Sequence, residues 1–163
     1  MEIIVSSRQK VVGVILQSLM PPLKENHTVV VISIIDPECD PVNLPVPETD
    51  VLRLGFHDLD NTYPCTQIVL FDTNMALKIK LFIEQKIHQH GPDDLIVVVH
   101  CEAGISRSAG VAGALAKHFL GTDKEFFTYP FLPNRLAYRL LLNALTGMDN
   151  PIPNVILSGT SIH

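Results

Sequence analysis

The chain reads as an α/β fold with a mostly parallel central sheet flanked by helices. Three observations lead there. Short runs rich in Val and Ile alternate along the chain with longer amphipathic stretches. The run Leu95–Val99 is apolar without alternation, the pattern of a strand buried on both faces. A tight loop then leads into AGVAGALAKHF, whose small apolar residues suit a buried helix. With 163 residues, 47% hydrophobic and 18% charged, the chain suits a single domain over 1–163 with a sizeable core.

The elements follow in order. Glu2–Ser6 is a strand, with Ser6 or Ser7 as N-cap for a helix from Gln9 to Met20 that carries Val11, Val12, Ile15 and Leu19 on one side. Pro21-Pro22 stops it, and His27–Ile35 is the second strand. The proline-rich, acidic stretch Asp36–Asp50 is expected to be a solvated connection, the alternative being a loop over the site. Val51–Phe56 is the third strand. Asp72 caps an amphipathic helix, Asn74–His90, with Met75, Ile79, Ile83 and Ile87 facing the core. His88 and His90 suit its C-terminal dipole better than a metal. After the Leu95–Val99 strand comes the helix Ala109–Leu120, where Gly110 and Gly113 permit close approach to the sheet. Gly121 ends it, Thr122 caps a short helix Asp123–Tyr129, and Asn134–Leu145 is the last helix, with Leu136, Leu140 and Leu141 inward. From Gly147 to His163 the tail has no strong pattern, although Val155-Ile156-Leu157 can pack as an arm.

Composition narrows the function. The net charge of −5 and the lack of a basic run argue against a nucleic-acid partner. Arg8 and Lys10 interrupt the apolar N-terminal region, so no signal peptide is expected, and no window approaches a membrane span. Three cysteines, Cys39, Cys65 and Cys101, do not make a disulfide framework and suit a reducing, cytoplasmic setting. No metal-ligand spacing is present, and no metal or cofactor is expected.

Chemistry concentrates in His100-Cys101-Glu102-Ala103-Gly104-Ile105-Ser106-Arg107-Ser108. Backbone N–H groups of a tight loop and of a first helical turn lack intrahelical partners and together make an anion nest. Glu102, Ala103, Gly104, Ile105 and Ser106 supply that loop, and Arg107 adds a planar fork of donors suited to phosphate. A thiol at Cys101, on the floor of this field, is expected to ionise below its usual pKa of about 8.5 and to act as a nucleophile toward phosphorus. Ser108 can donate a hydrogen bond to the sulfur, and Gly104 permits a turn that a Cβ would hinder.

This segment resembles the His-Cys-x5-Arg-Ser/Thr signature of the cysteine-dependent protein tyrosine and dual-specificity phosphatases, and the chain is similar to compact, bacterial-type members. The resemblance extends to the second strand and to Pro133-Asn134, whose counterpart packs near the catalytic loop. It implies two-step hydrolysis of a phosphate monoester through a cysteinyl-phosphate. Cys101 would be the nucleophile, with Arg107 and the loop amides on the phosphoryl oxygens and a carboxylic acid protonating the leaving group. Asp58, in the LRLGFHD context, is chosen as that acid over Asp60, whereas Asp72 is better explained as a cap. His57 reads as an exposed loop histidine beside the acid. Some family members bridge the nucleophile to another cysteine, and here Cys39 could do so, although an unpaired thiol is the simpler reading. Cys65 has no clear role.

The resemblance implies a phosphorylated protein or peptide as substrate, phosphotyrosine first and phosphoserine or phosphothreonine next. The absence of lysine from the loop interior argues against highly phosphorylated lipids. Two other classes remain open: a catalytically idle phosphoprotein-binding module and a rhodanese-like sulfur transferase, the latter disfavoured by Arg107 and Ser108. A low-molecular-weight phosphatase or arsenate reductase is disfavoured because the cysteine loop lies so far from the N-terminus.

Overall fold

The structure, a computed structural model, describes residues 1–19, 27–59 and 67–148. Four strands form one sheet: β1 (Glu2–Ser7), β2 (Thr28–Ile35), β3 (Val51–Gly55) and β4 (Leu95–Cys101). Their order is β1-β4-β2-β3 and every pairing is parallel. Four helices accompany them: α1 (Val11–Leu19), α2 (Thr73–His90), α3 (Arg107–Leu120) and α4 (Arg135–Thr146). The α/β architecture expected from the alternation of strands and helices is therefore present.

β4 is buried along its whole length, because it lies between two strands and under helices on both faces. Pleating sends Val97, Val99 and Cys101 to the side packed by α2, α3 and α4, while Ile96 and Val98 join Val11 and Ile15 of α1 on the other side. Register brings the carboxyl ends of the strands to one edge. Ser7 lies beside Cys101, Ser33 beside His100, and Ile35 beside Gly55.

Several local expectations change. Ser6 and Ser7 belong to β1 and do not cap α1, because pairing with His100 and Cys101 claims them. α1 starts at Val11 and buries Val11, Ile15 and Ser18, leaving Val12 and Leu19 exposed. Ser18 is tolerated there because its hydroxyl donates to the Val14 carbonyl at 2.9 Å. The segment after β2 is irregular, as expected, but it is not simply solvated. Val42, Leu44 and Val46 pack against the α1 side of the core before a 3-10 turn at Glu48–Asp50.

Asp72 caps α2 as expected, accepting from the Met75 N–H at 2.8 Å. The helix buries Ala76, Ile79, Ile83 and Lys86, with Met75 and Ile87 at the margin. Gly110 and Gly113 face the N-terminal part of α4 and the turn before it, not the sheet. A Cβ on Gly110 would lie 2.5 Å from the Asn134 carbonyl oxygen, so a side chain there would force α3 away from the start of α4. The short helix expected at Asp123–Tyr129 is a 3-10 turn, Lys124–Phe127, and the Thr122 hydroxyl is 3.5 Å from the Lys124 N–H. α4 buries Leu136, Ala137, Leu141 and Leu145, with Leu140 at the core margin. Pro21-Pro22, Asp60, Cys65 and Val155–Leu157 lie outside the described residues.

Lys86 is 5% exposed, and its ammonium lies 2.7 Å from Asp50 Oδ1 at the start of β3. Removing one member of a buried pair strands the other, whereas replacing both by apolar groups is close to neutral. Lys86→Ala should therefore cost about 3 kcal/mol in urea unfolding. The double variant Lys86→Met/Asp50→Ala should recover most of that loss, and failure to do so would remove the ion pair as the cause.

Candidate active site

The loop after β4 is built by the strand, by β1 and by α3 together. β4 delivers Cys101 to the carboxyl edge of the sheet, where it is 2% exposed. The chain then turns through Glu102–Ser106, with Gly104 at φ +72°, a conformation that favours glycine. Space excludes a side chain as well, since a Cβ there would meet the Ser6–Ser7 backbone at 2.6–2.8 Å. The Arg8 N–H reaches the carbonyls of Cys101 (2.7 Å) and Glu102 (3.2 Å), fastening the loop to the end of β1.

Two groups converge on the sulfur. Gly104 N–H lies 3.3 Å from Cys101 Sγ, and Ser108 Oγ lies 3.0 Å from it. Arg107, the first residue of α3, is 4% exposed. Its Nη1 donates to Asp36 Oδ1 at 2.6 Å and to the Phe56 carbonyl at 2.7 Å, so the ends of β2 and β3 hold the guanidinium. Its Nε is buried and has no partner among the described residues. An oxyanion in the loop would give that N–H an acceptor.

Asp58 follows β3 and is exposed. Its Oδ1 accepts from Ser106 Oγ at 2.6 Å and from Asn134 Nδ2 at 3.2 Å. Asn134 also donates to the Leu59 carbonyl (3.2 Å), while its own Oδ1 caps α4 by accepting from Ala137 N–H (3.0 Å). Its backbone N–H bonds the Ser106 carbonyl at 3.0 Å. The carboxylate is thus joined to the cysteine loop by one hydroxyl and to α4 by one amide.

The structure brings Cys101, Gly104, Ser106, Arg107, Ser108 and Asp58 together. Glu102, Ala103 and Ile105 complete the loop and are exposed, and the Ile105 carbonyl accepts from Leu132 N–H at 3.1 Å. His57 is not the exposed loop residue expected. Its Nδ1 accepts from Val69 N–H at 3.0 Å and its Nε2 lies 3.2 Å from Glu38, because Val69 runs back beside the end of β3. Cys39 is exposed, and both it and Cys101 are free thiols. Asp36 was not anticipated. Its only sequence signal is its place directly after an apolar strand, which carries weight once β2 is known to lie beside β4.

No protein-family model and no curated protein matches the sequence. Solved structures do match. The PTP-2 phosphatase of Cydia pomonella superposes with a TM-score of 0.57 at 21% identity, over 87% of this chain and 84% of that one. The chain has the fold of the cysteine-dependent tyrosine and dual-specificity phosphatases. The human tyrosine phosphatase-like serine/threonine/tyrosine-interacting protein gives 0.55 at 21% identity, covering 85% of this chain and 87% of its own. PTPMT1 in complex with PI(5)P gives 0.51 at 16%, covering 90% and 91%. In this phosphatase-like fold the candidate site lies at the carboxyl end of β4, where strand order places β1 on one side and β2 on the other, a usual ligand position in open α/β sheets.

Under that site lies His100, fully buried on the α1 side of the sheet, with Nε2 2.8 Å from Ser33 Oγ. Burial pushes its pKa from 6.5 down to about 4, and the Arg8 and Arg53 cations act in the same direction. The unfolded chain therefore binds a proton at His100 that the folded chain refuses between these two values. Stability should fall as pH drops through that window, by about 3 kcal/mol in full. Urea unfolding at about pH 7 and about pH 4.5 should show His100→Gln losing less stability on acidification than the wild type. Equal losses would count against His100 as the source.

Proposed function

We propose that the protein hydrolyses phosphate monoesters on proteins, phosphotyrosine first and phosphoserine or phosphothreonine next, through a cysteinyl-phosphate. The observation that supports this reading is the Ser106 Oγ to Asp58 Oδ1 bond of 2.6 Å, which holds a carboxyl group, the kind of group that serves as a general acid, beside the loop that carries Cys101.

In the first step the Cys101 thiolate attacks phosphorus. The S–P bond forms, the P–O bond to the leaving group breaks, and Asp58 gives its proton to the departing oxygen. Loop N–H groups and the Arg107 Nε–H bind the non-bridging oxygens. In the second step Asp58 takes a proton from water, the water oxygen attacks phosphorus, and the S–P bond breaks with its electron pair returning to sulfur. Ser108, 3.0 Å from the sulfur, steadies the departing thiolate. Placed charge rather than covalent variety carries this chemistry. A thiolate nucleophile works best in a reducing compartment, and we assign the protein to the cytoplasm. No described helix is long and apolar enough to cross a membrane.

A binding-module reading is favoured by one observation alone, that one protein of similar fold is a tyrosine phosphatase-like interacting protein. One experiment separates the two. The wild type should hydrolyse an aryl phosphate in chelator and reductant, and Cys101→Ser should abolish turnover. Asp58→Asn should lower kcat about 10²–10⁴-fold for a phosphopeptide, and less for an aryl ester with a good leaving group. Phosphopeptide binding without turnover by the wild type would replace the enzyme reading with the binding one.

A further inference from the structure

Beside the cysteine loop, and not including the sulfur, lies an open cleft of about 700 Å³ lined by Ser7, Arg8, Gln9, Lys10, Glu102 and Ala103, with Val42 at its margin. We infer that this cleft takes the side-chain carboxylate of an acidic residue flanking the phosphorylated residue in a polypeptide substrate, with Lys10 and Arg8 as the residues that select it. The inference rests on the phosphatase reading and names the substrate class of the same site.

Charge and its pairing support a carboxylate. Lys10 makes no ion pair among the described residues and is exposed at the entrance to α1. Arg8 is held in place by its Nη2 bond to the Asp40 carbonyl at 2.8 Å. Its other terminal nitrogen is 3.8 Å from Glu102, whose side chain is 60% exposed, so this pairing is long and solvated. An incoming carboxylate can share both cations without stripping a buried partner. Glu102, on the same wall, repels a group of high negative charge. A peptide carboxylate is therefore accommodated better than a polyphosphorylated lipid headgroup, and Val42 and Ala103 offer apolar contact to the neighbouring peptide stem.

Rigidity gives the cleft its register. The Arg8 N–H bonds the Cys101 and Glu102 carbonyls, and Gly104 abuts the Ser6–Ser7 backbone. The backbone that carries Arg8 and leads to Lys10 therefore keeps a fixed offset from the sulfur, and the Asp40 carbonyl holds the Arg8 guanidinium. A phosphate seated in the loop sets how far along the peptide the favoured acid must lie, so the preference belongs to one position rather than to overall charge.

The test is a set of phosphotyrosyl peptides with Glu, Ala or Lys placed in turn at each flanking position. Turnover is read as kcat/KM relative to an aryl phosphate, and affinity is read by fluorescence anisotropy on the Cys101→Ser protein. Glu at one position should raise relative kcat/KM about fivefold over Ala, the scale of a solvated ion pair. Lys10→Glu should reverse the preference toward Lys at that position, and Arg8→Ala should weaken it. Equal use of all peptides, or a Glu preference that survives Lys10→Glu, overturns the inference and leaves the phosphatase reading intact. Faster, Lys10-dependent turnover of a phosphoinositide or of a doubly phosphorylated peptide also overturns it, in favour of a second phosphate. Absence of turnover with Lys10-dependent binding of the Glu peptide overturns the enzyme reading and keeps the cleft assignment. Neither turnover nor binding overturns both.

Discussion

Arg107 is held from behind. One terminal nitrogen donates to both the Asp36 carboxylate at the end of β2 and the Phe56 carbonyl just past β3. A guanidinium buried this deeply needs such partners, since an unpaired charge in the interior costs several kcal/mol. The arrangement fastens α3 to the ends of two strands and fixes the plane of the fork. Among the described residues the anchoring uses Nη1, and the buried Nε–H has no partner. On the proposed reading, anchoring and ligand binding would use different atoms of one side chain.

A second junction forms around the Ser106 carbonyl, which accepts from the N–H groups of Gly110 and Asn134. It joins the start of α3 to the residue that caps α4. Gly110 makes this possible, because the Asn134 backbone occupies the space a Cβ would need. From that position Asn134 reaches both Asp58 and Leu59. The loop, the carboxylate and the last helix therefore form one hydrogen-bonded assembly, although they come from three separated stretches of chain.

What was legible in the sequence was what leaves a local trace. The unbroken apolar run of β4, the Asp72 cap and the Cys101-to-Ser108 spacing each show within a few residues. So does the positive-φ glycine ending α3. Asp58 beside the loop was legible only through resemblance, because nothing local links it to Ser106. The Asp36–Arg107 pair spans 71 residues and has no pattern of its own. The glycines of α3 meet the start of α4 rather than the sheet, because a small-residue face says that something comes close without saying what. The inward face of α1 was misjudged for a related reason. In nine largely apolar residues, hydrophobicity marks no single stripe, and the sheet beneath selects which side chains are covered.

The double use of Asn134 has a thermodynamic consequence. Its carbonyl oxygen caps the first turn of α4 while its amide nitrogen holds the residues around Asp58. Fraying of that turn and displacement of Asp58 are therefore coupled equilibria, and the coupling is reciprocal. A ligand that favours this position of Asp58 would slow hydrogen exchange at the amide of Ala137, and a weakened α4 would loosen that ligand in turn. The stability of α4 would thereby enter the proposed reaction although the helix supplies none of its reacting groups.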